Sequence, residues 1–288
     1  MLNGHLLGIY EKAFPNDWSL EKKLTAVKRL GFDFMEISID ESDERIERLY
    51  WGKDLQRSLY QLCLDIEIPI LTMCLSVHRR FPFGSSKETD RKKAQELMEL
   101  AIDFAQNTGI KIIQLAGYDV YYEKSTDNSK QQFVSGMKWA AELAEKKLIM
   151  LAMEIMDTSL MCSISNFLEL QKKIRSPWFK VYPDLGNLSA WGNDVESELT
   201  KGIEEIVAVH VKETKAVTPD FPGQFKCVPF GEGCVDFVKC FAKLEELNYK
   251  GPYMIEMWND PKLDNEEEIK QAVHFVKEKY TKAIDKNV

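Results

Sequence analysis

The sequence lacks any apolar run long enough to cross a membrane. Its 288 residues are 44% hydrophobic and 29% charged, a balance that is typical of soluble globular proteins. No run approaches the roughly 18 apolar residues of a membrane span. The apolar stretch after His5 is also too short for the core of a secretion signal. We therefore expect a cytoplasmic protein with no membrane partner.

Basic residues are also scarce. The chain has 38 Lys and Arg against 46 Asp and Glu, which gives a formal net charge of −8. A nucleic-acid-binding surface gains its affinity by pairing basic side chains with phosphates. The longest basic cluster here is short, at residues 91–93. We therefore expect no nucleic-acid partner.

The six cysteines include no C-x-x-C pair. Several of them lie in apolar segments, where a thiol packs as a small hydrophobic group. A chain of this length buries a large core without disulfide bonds. We therefore expect reduced thiols rather than disulfides or a zinc–thiolate site.

Short β-branched or aromatic runs alternate with longer segments of helical spacing along the whole chain. This alternation is typical of βαβ units with a parallel sheet. The predicted strands are residues 6–10, 34–39, 70–75, 112–115, 150–155, 179–183, 206–211 and 253–257. The predicted helices are residues 20–30, 54–66, 87–108, 128–147, 165–174, 194–202, 236–248 and 266–283.

Eight strand–helix repeats favour closure of the sheet into a barrel. A doubly wound open sheet usually has fewer strands and a glycine-rich phosphate-binding turn after the first one, whereas the first strand here runs into Glu11, Lys12 and Ala13. The segment 214–233 is rich in proline and glycine, and we interpret it as an active-site loop rather than a domain boundary. We therefore predict an α/β fold, a (β/α)8 TIM barrel, with residues 1–288 as a single domain.

The ends of four predicted strands carry side chains that can bind metal. The reactive side chains of such a barrel lie at the C-terminal ends of its strands. The fifth to eighth strands end in three carboxylates and one imidazole: Glu154, Asp184, His210 and Glu256. Three carboxylates that meet at one rim repel one another unless they take up protons or bind a cation. We therefore predict a site for one divalent ion such as Mn²⁺, Mg²⁺, Co²⁺ or Zn²⁺.

Candidates for substrate binding lie near the same rim. His78 follows the third strand, and its position predicts contact with a substrate. The segment 226–233 offers an anion the charge of Lys226 and the N–H groups of its glycines. Arg79 and Arg80 are rival anion ligands.

Several long motifs in the chain resemble those of the xylose isomerase-like barrel superfamily. The motifs nearest the predicted metal site are AMEIMD at 152–157, YPDLGN at 182–187, HVKET at 210–214 and VPFGEG at 228–233. The resemblance extends over nearly the whole chain and includes LGIYEKA at 7–13, QLAGYDVYY at 114–122 and GPYMIEMW at 251–258. It is closest to the L-ribulose-5-phosphate 3-epimerases, also called L-xylulose-5-phosphate 3-epimerases, of bacterial L-ascorbate degradation.

This resemblance implies a reaction and roles for residues. The substrate would be a small phosphorylated ketopentose, inverted at C3 through a metal-stabilised cis-enediolate. The resemblance implies that Glu154 and Glu256 act as acid and base. It also implies that the metal ion is bound by all four residues at the strand ends, namely Glu154, Asp184, His210 and Glu256.

The same resemblance bears on how the phosphate is bound. Related epimerases of unphosphorylated sugars carry an arginine after the histidine of the seventh strand, whereas this chain has Lys212 in that region and Lys226 further along. A lysine near a phosphate is chemically sensible. We therefore expect the substrate and its phosphate to contact Lys212, Lys226, Arg79 and His78.

Other functions remain open on the sequence alone. The chain could be another metal-dependent ketose or aldose isomerase of the same superfamily, or a sugar-phosphate sensor without catalysis. A metal-dependent phosphodiesterase fits less well, because such sites usually hold more histidines and this chain has four in total. Aromatic residues near the rim are compatible with a homodimer.

Overall fold

The computed structural model describes residues 1–285 of the chain. Its eight parallel β-strands are β1 (Leu7–Tyr10), β2 (Phe34–Ile39), β3 (Ile70–Leu75), β4 (Ile112–Leu115), β5 (Met150–Glu154), β6 (Phe179–Tyr182), β7 (Val209–Val211) and β8 (Tyr253–Ile255). They form one sheet in the order β6-β5-β4-β3-β2-β1-β8-β7. This order is that of a TIM barrel opened at one seam, which confirms the predicted fold class.

The α-helices of the described residues follow the strands along the chain. They are α1 (Leu20–Arg29), α2 (Asp43–Glu47), α3 (Lys53–Ile66), α4 (Glu88–Thr108), α5 (Asp127–Lys147), α6 (Ile164–Ile174), α7 (Leu185–Ala190), α8 (Val195–Gly202), α9 (Phe237–Glu246) and α10 (Asn265–Asp285). Within residues 1–285, no helix combines the length and the apolar character that a membrane crossing requires.

The seam between β6 and β7 closes the barrel through two isolated bridges, Val181 with Ile206 and Asp184 with His210. Val207 donates its N–H to the Val181 carbonyl at 3.2 Å. The reciprocal hydrogen bond would need an N–H at Pro183, which proline lacks. The ladder is therefore interrupted, and this is why β7 begins at Val209 rather than at the predicted residue 206.

The predicted elements agree closely with the structure elsewhere. The predicted strands 34–39, 70–75 and 112–115 coincide with β2, β3 and β4, and the eight predicted helices end within two residues of the observed ones. The short helices α2 and α7 were not predicted, because five or six residues carry no repeated apolar period. The strict alternation of eight strands with eight helices was therefore wrong in detail.

The core is apolar and continuous from the barrel wall to the surrounding helices. The inward faces of β1, β2, β3 and β8 pack together through Tyr10, Phe34, Cys74 and Met254. All six cysteines are free, as expected, and Cys63, Cys74 and Cys240 are buried.

One buried ionic cluster ties the segment after β1 to the barrel. Glu11 is fully buried and pairs with Lys23 at 3.1 Å, Arg45 at 3.0 Å and Arg48 at 2.7 Å. Its Oε2 also accepts a hydrogen bond from the Ser38 N–H at 2.9 Å. Burial alone would raise the pKa of Glu11, but the three cations outweigh it and lower the pKa to about 2. Glu11 therefore stabilises the fold as a carboxylate.

This cluster predicts a specific loss of stability in acid. The folded-state pKa of Glu11 lies below its ordinary value of 4.5, so its contribution is present above that value and falls as the pH decreases. Glu11→Gln leaves three buried cations without their counter-charge and should cost about 3–5 kcal/mol near neutral pH. The difference from the wild type should narrow by about 2 kcal/mol at about pH 3. Urea unfolding at both pH values measures this, and a pH-independent difference would contradict it.

Candidate metal centre

Polar side chains from non-neighbouring strands meet inside the barrel. Successive side chains of a strand point to opposite faces of the sheet, so alternate residues face inward. Glu36 of β2 lies 3.3 Å from His210 of β7, although β1 and β8 separate these strands in the sheet. Two side chains from these strands can meet only across the interior of the barrel. The interior therefore holds polar side chains from several strands.

The four residues at the predicted strand ends come together there. Glu154 ends β5, His210 lies within β7, and Asp184 and Glu256 follow β6 and β8. All four are buried, and one ligand atom of each lies within 4.8 Å of those of the others. His210 Nδ1 is 3.4 Å from Glu154 Oε1, 3.5 Å from Glu256 Oε2 and 3.8 Å from Asp184 Oδ2. The group could therefore hold a metal ion.

Two of the carboxylates are anchored through one oxygen and leave the other to face the centre. Asp184 is the N-cap of α7, and its Oδ1 accepts a hydrogen bond from the Asn187 N–H at 2.6 Å. Glu154 Oε2 accepts a hydrogen bond from the amide of Gln114. Within residues 1–285, the buried atoms Asp184 Oδ2, Glu256 Oε2 and His210 Nδ1 make no hydrogen bond of good geometry, although the Lys212 ammonium forms ion pairs with both carboxylate oxygens. Buried oxygen and nitrogen atoms that lack a well-aligned hydrogen bond fit the coordination of a cation.

The electrostatics of the group also fit a cation. Burial and the nearby carboxylate of Glu256 raise the pKa values of Glu154 and Asp184 above their ordinary range. For Glu256 itself, burial is outweighed by Lys212 and His210, which lower its pKa. Lys212 Nζ lies 3.1 Å from Asp184 Oδ2 and 3.0 Å from Glu256 Oε2. A divalent ion would let all three carboxylates stay ionised, and three oxygen ligands with one nitrogen suit Mn²⁺, Mg²⁺, Co²⁺ or Zn²⁺.

A cavity opens over the metal ligands and carries a second set of charges. Glu154, Glu256 and Lys212 line this cavity. Three further cations also line it, namely Lys12, Arg79 and Lys226. Burial and the positive charges of Arg79 and Lys12 lower the pKa of Lys226. The three cations are therefore close enough to repel one another, as in a site for an anion.

Aromatic residues hold Arg79 and Lys226 in place. The Arg79 guanidinium lies 5.3 Å from the centroid of the Tyr118 ring and 5.4 Å from that of Tyr121, and its buried Nε has no hydrogen-bond partner in the described residues. Lys226 Nζ lies 5.7 Å from the centroid of the Trp258 ring. Aromatic faces attract a cation without neutralising its charge, so the charge remains available to a ligand.

The structure separates the other predicted substrate ligands. Arg79, Lys226 and Lys212 line the cavity, and Lys212 also pairs with Asp184. His78 does not reach the cavity, because its Nε2 contacts the Ala94 carbonyl at 3.1 Å and its ring packs 4.8 Å from that of Phe83. The predicted contact of His78 with a substrate is therefore not supported. The rival ligand Arg80 is paired with Asp43 at 2.6 Å.

Several polar residues of the site were missed in the sequence. Lys12 and Asp157 line the cavity, and Gln114 and Glu36 support the metal ligands from the barrel wall. The signal for the last two was present. Gln114 is the single polar residue of β4, and Glu36 is the single charged residue of β2. Such a residue on the inward face must find a polar partner in the barrel.

Comparisons with known proteins agree with this geometry. Residues 24–279 match the family described as "Xylose isomerase-like TIM barrel". The L-ribulose-5-phosphate 3-epimerase UlaE of Escherichia coli (strain K12 / DH10B) is 48% identical over 277 residues, which cover 96% of this chain and 95% of that protein.

Two solved structures share the fold at low sequence identity. One is an L-ribulose 3-epimerase, with a TM-score of 0.80 at 16% identity, covering 98% of this chain and 97% of that one. The other is a D-psicose 3-epimerase from Clostridium cellulolyticum H10, solved with D-tagatose, with a TM-score of 0.78 at 16% identity, covering 96% of this chain and 99% of that one.

The arrangement of Asp184 predicts a variant that loses metal but keeps its fold. Asp184→Asn retains an oxygen that can cap α7, because asparagine is as good an N-cap as aspartate, but it removes the charge that faces the centre. We expect the affinity for Mn²⁺ or Zn²⁺ to fall by at least the ~10–100-fold that loss of an outer-shell partner costs. Equilibrium dialysis with elemental analysis measures this, and the unfolding temperature of the metal-free form is the control. Unchanged affinity would exclude Asp184 as a ligand.

Proposed function

The chain belongs to the xylose isomerase-like TIM barrel family and, within it, to the L-ribulose-5-phosphate 3-epimerases, and from this membership we propose that it inverts C3 of L-ribulose 5-phosphate or L-xylulose 5-phosphate. It is an enzyme of the metal-dependent sugar-phosphate 3-epimerase class. The observation that carries the proposal is the approach of two glutamates, from two non-adjacent strands, to the same nitrogen of one buried histidine. His210 Nδ1 lies 3.4 Å from Glu154 and 3.5 Å from Glu256.

These two glutamates come from strands that face each other across the site. In the sheet order, β6 and β7 lie between β5 and β8 around the ring, so Glu154 and Glu256 approach a bound sugar from different sides. Inversion at a carbon next to a ketone needs a base on one face and an acid on the other. One glutamate takes the C3 proton to leave an enediolate, and the other delivers a proton to the opposite face.

The remaining residues of the centre stabilise the charge that this step creates. A divalent ion held by Glu154, Asp184, His210 and Glu256 would supply Lewis acidity to the oxygens next to the reacting carbon. Lys212 is a buried cation whose pKa is raised by Asp184 and Glu256, although burial acts against it. It keeps Glu256 ionised and offers positive charge beside the developing enediolate.

The outer cations of the cavity favour a phosphorylated substrate over a free sugar. Lys12, Arg79 and Lys226 share the lining of the cavity with Glu154 and Glu256. Within residues 1–285, Lys12 is the one of the three that pairs directly with a carboxylate, that of Asp40. Burial and the repulsion from Arg79 and Lys12 lower the pKa of Lys226, and a phosphate dianion would relieve that repulsion. We therefore propose Arg79 and Lys226, with Lys12, as the phosphate ligands.

Removal of either acid–base group should abolish epimerisation. Glu154→Gln and Glu256→Gln keep the volume of the side chain but cannot transfer the proton, so kcat should fall ~10²–10⁴-fold. A coupled assay with L-xylulose 5-phosphate measures this. The metal content of each variant is determined in parallel, so that a lost proton transfer is distinguished from a lost ion.

Wild-type turnover in deuterated water should place deuterium at C3 of the product, because the proton returned by the second glutamate comes from solvent. Product without deuterium at C3 would exclude the two-glutamate route.

The phosphate site predicts a selective effect of Lys226→Met. The variant should lose one charge-assisted hydrogen bond, worth about 1.5–3 kcal/mol, and therefore roughly 10–100-fold in kcat/KM for L-xylulose 5-phosphate. Its kcat/KM for the unphosphorylated sugar should hardly change. The matched control is Lys215→Met, because Lys215 is an exposed lysine of the same loop that does not line the described cavity. An equal loss with both substrates would contradict the assignment.

A further inference from the structure

Glu36 is a buried carboxylate in the middle of an apolar strand. It lies in β2, whose six residues are FMEISI, and it is fully buried. Placing a carboxylate in such surroundings is costly unless it has a defined partner. Within the described residues, the ion pair that includes Glu36 is the one with His210, at 3.3 Å from Nε2 to Oε1. Neither a lysine nor an arginine of residues 1–285 pairs with it.

The two nitrogens of His210 therefore face different partners. Nε2 faces Glu36 in the barrel wall, whereas Nδ1 faces the carboxylates of the candidate metal centre. A neutral imidazole carries its proton on one nitrogen and a lone pair on the other, and its partners decide which is which. The 3.3 Å contact is an ion-pair distance without good hydrogen-bond geometry. The negative charge of Glu36 nevertheless favours the proton on Nε2, which leaves the lone pair on Nδ1, where an ion would bind.

Other side chains hold Glu36 and the imidazole in this orientation. Thr72 donates its hydroxyl to Glu36 Oε2 at 2.7 Å, so Oε1 remains free for His210. The Tyr182 ring lies edge-on to the His210 ring, at 4.3 Å between centroids. The His210 ring is thus restrained by packing against Tyr182 and by the Glu36 carboxylate beside its Nε2.

We propose that Glu36 is a positioning residue of the metal centre, which fixes His210 in the tautomer and orientation that present Nδ1 to a divalent cation. Its effect is exerted through His210, without contact with substrate. This inference rests on the metal centre of the proposed function. It adds Glu36, which does not lie at a strand end and is not one of the four candidate ligands. Outer partners of this kind orient the ligand and increase its basicity.

The test measures metal binding rather than turnover. Glu36→Leu has a similar volume but accepts no hydrogen bond, and its affinity for Co²⁺ in competition with a chelator should fall ~10–100-fold, with an altered Co²⁺ absorption spectrum. Glu36→Gln can still accept the Nε2 proton through its amide oxygen. It should keep the wild-type spectrum and lose less affinity than the leucine variant. The control Ser38→Ala changes the next inward residue of β2, which contacts Tyr10 rather than a metal ligand, and should bind Co²⁺ as the wild type does.

The outcomes separate this inference from the proposed reaction. Wild-type affinity and spectrum in Glu36→Leu would overturn the role of Glu36, even if the enzyme epimerises its substrate. Metal binding that depends on Glu36 in a chain without epimerase activity would support the role and contradict the proposed reaction. A wild-type chain that binds no Co²⁺, Mn²⁺ or Zn²⁺ would overturn both.

A second measurement decides the matter if Glu36→Leu fails to fold. In the Zn²⁺-loaded protein, the Nε2–H proton of His210 should resonate further upfield in Glu36→Gln than in the wild type, because a neutral amide is a weaker acceptor than a carboxylate. A role that is only structural would leave this resonance unchanged. An unchanged resonance together with unchanged Zn²⁺ affinity would therefore overturn the proposal.

Discussion

The central constraint on this structure is that three buried carboxylates share one small space. Like charges at this separation cannot all remain ionised without compensation. The barrel places one ligand atom each of Glu154, Asp184, Glu256 and His210 within 4.8 Å of one another. Burial, together with the charge of the neighbouring carboxylates, raises the pKa values of Glu154 and Asp184. Lys212 compensates part of the charge from within the chain. The remaining negative charge could be compensated by a metal ion, which this group of residues could hold.

The way in which the barrel closes is part of this organisation. Pro183 interrupts the ladder between β6 and β7, and the bridge that follows joins Asp184 to His210. Because Pro183 cannot donate a hydrogen bond, the chain leaves the strand and Asp184 begins α7 as its N-cap. The irregular seam thus turns Asp184 Oδ1 toward the first turn of α7 and Asp184 Oδ2 toward His210.

The part of the site that follows from strand periodicity was predictable, and the part that depends on local turns was not. Glu154, Asp184, His210 and Glu256 could be found because each follows an apolar run, and parallel strands end at a common rim. His78 and Arg79 are neighbours in a single 3-10 turn after β3, which buries His78 and directs Arg79 into the cavity. A difference of one residue in such a turn rotates the side-chain direction by about 120°, and no apolar pattern specifies which residue faces the cavity. Glu36 was overlooked because it lies within a strand rather than at its end.

The distribution of charge within the cavity bears on specificity. Glu154 and Glu256, two of the candidate metal ligands, contribute negative charge to the lining of the cavity, whereas Lys12, Arg79 and Lys226 contribute positive charge to the same lining. A bound divalent ion would neutralise the negative charge and leave the positive charge in need of an anion. A sugar phosphate meets both demands in one orientation, because its phosphate pairs with the cations while its uncharged oxygens remain free for the metal. The reversed orientation would place the phosphate dianion against Glu154 and Glu256. In the proposed function, the charges that would bind the substrate would therefore also select which of its carbons lies between the two glutamates.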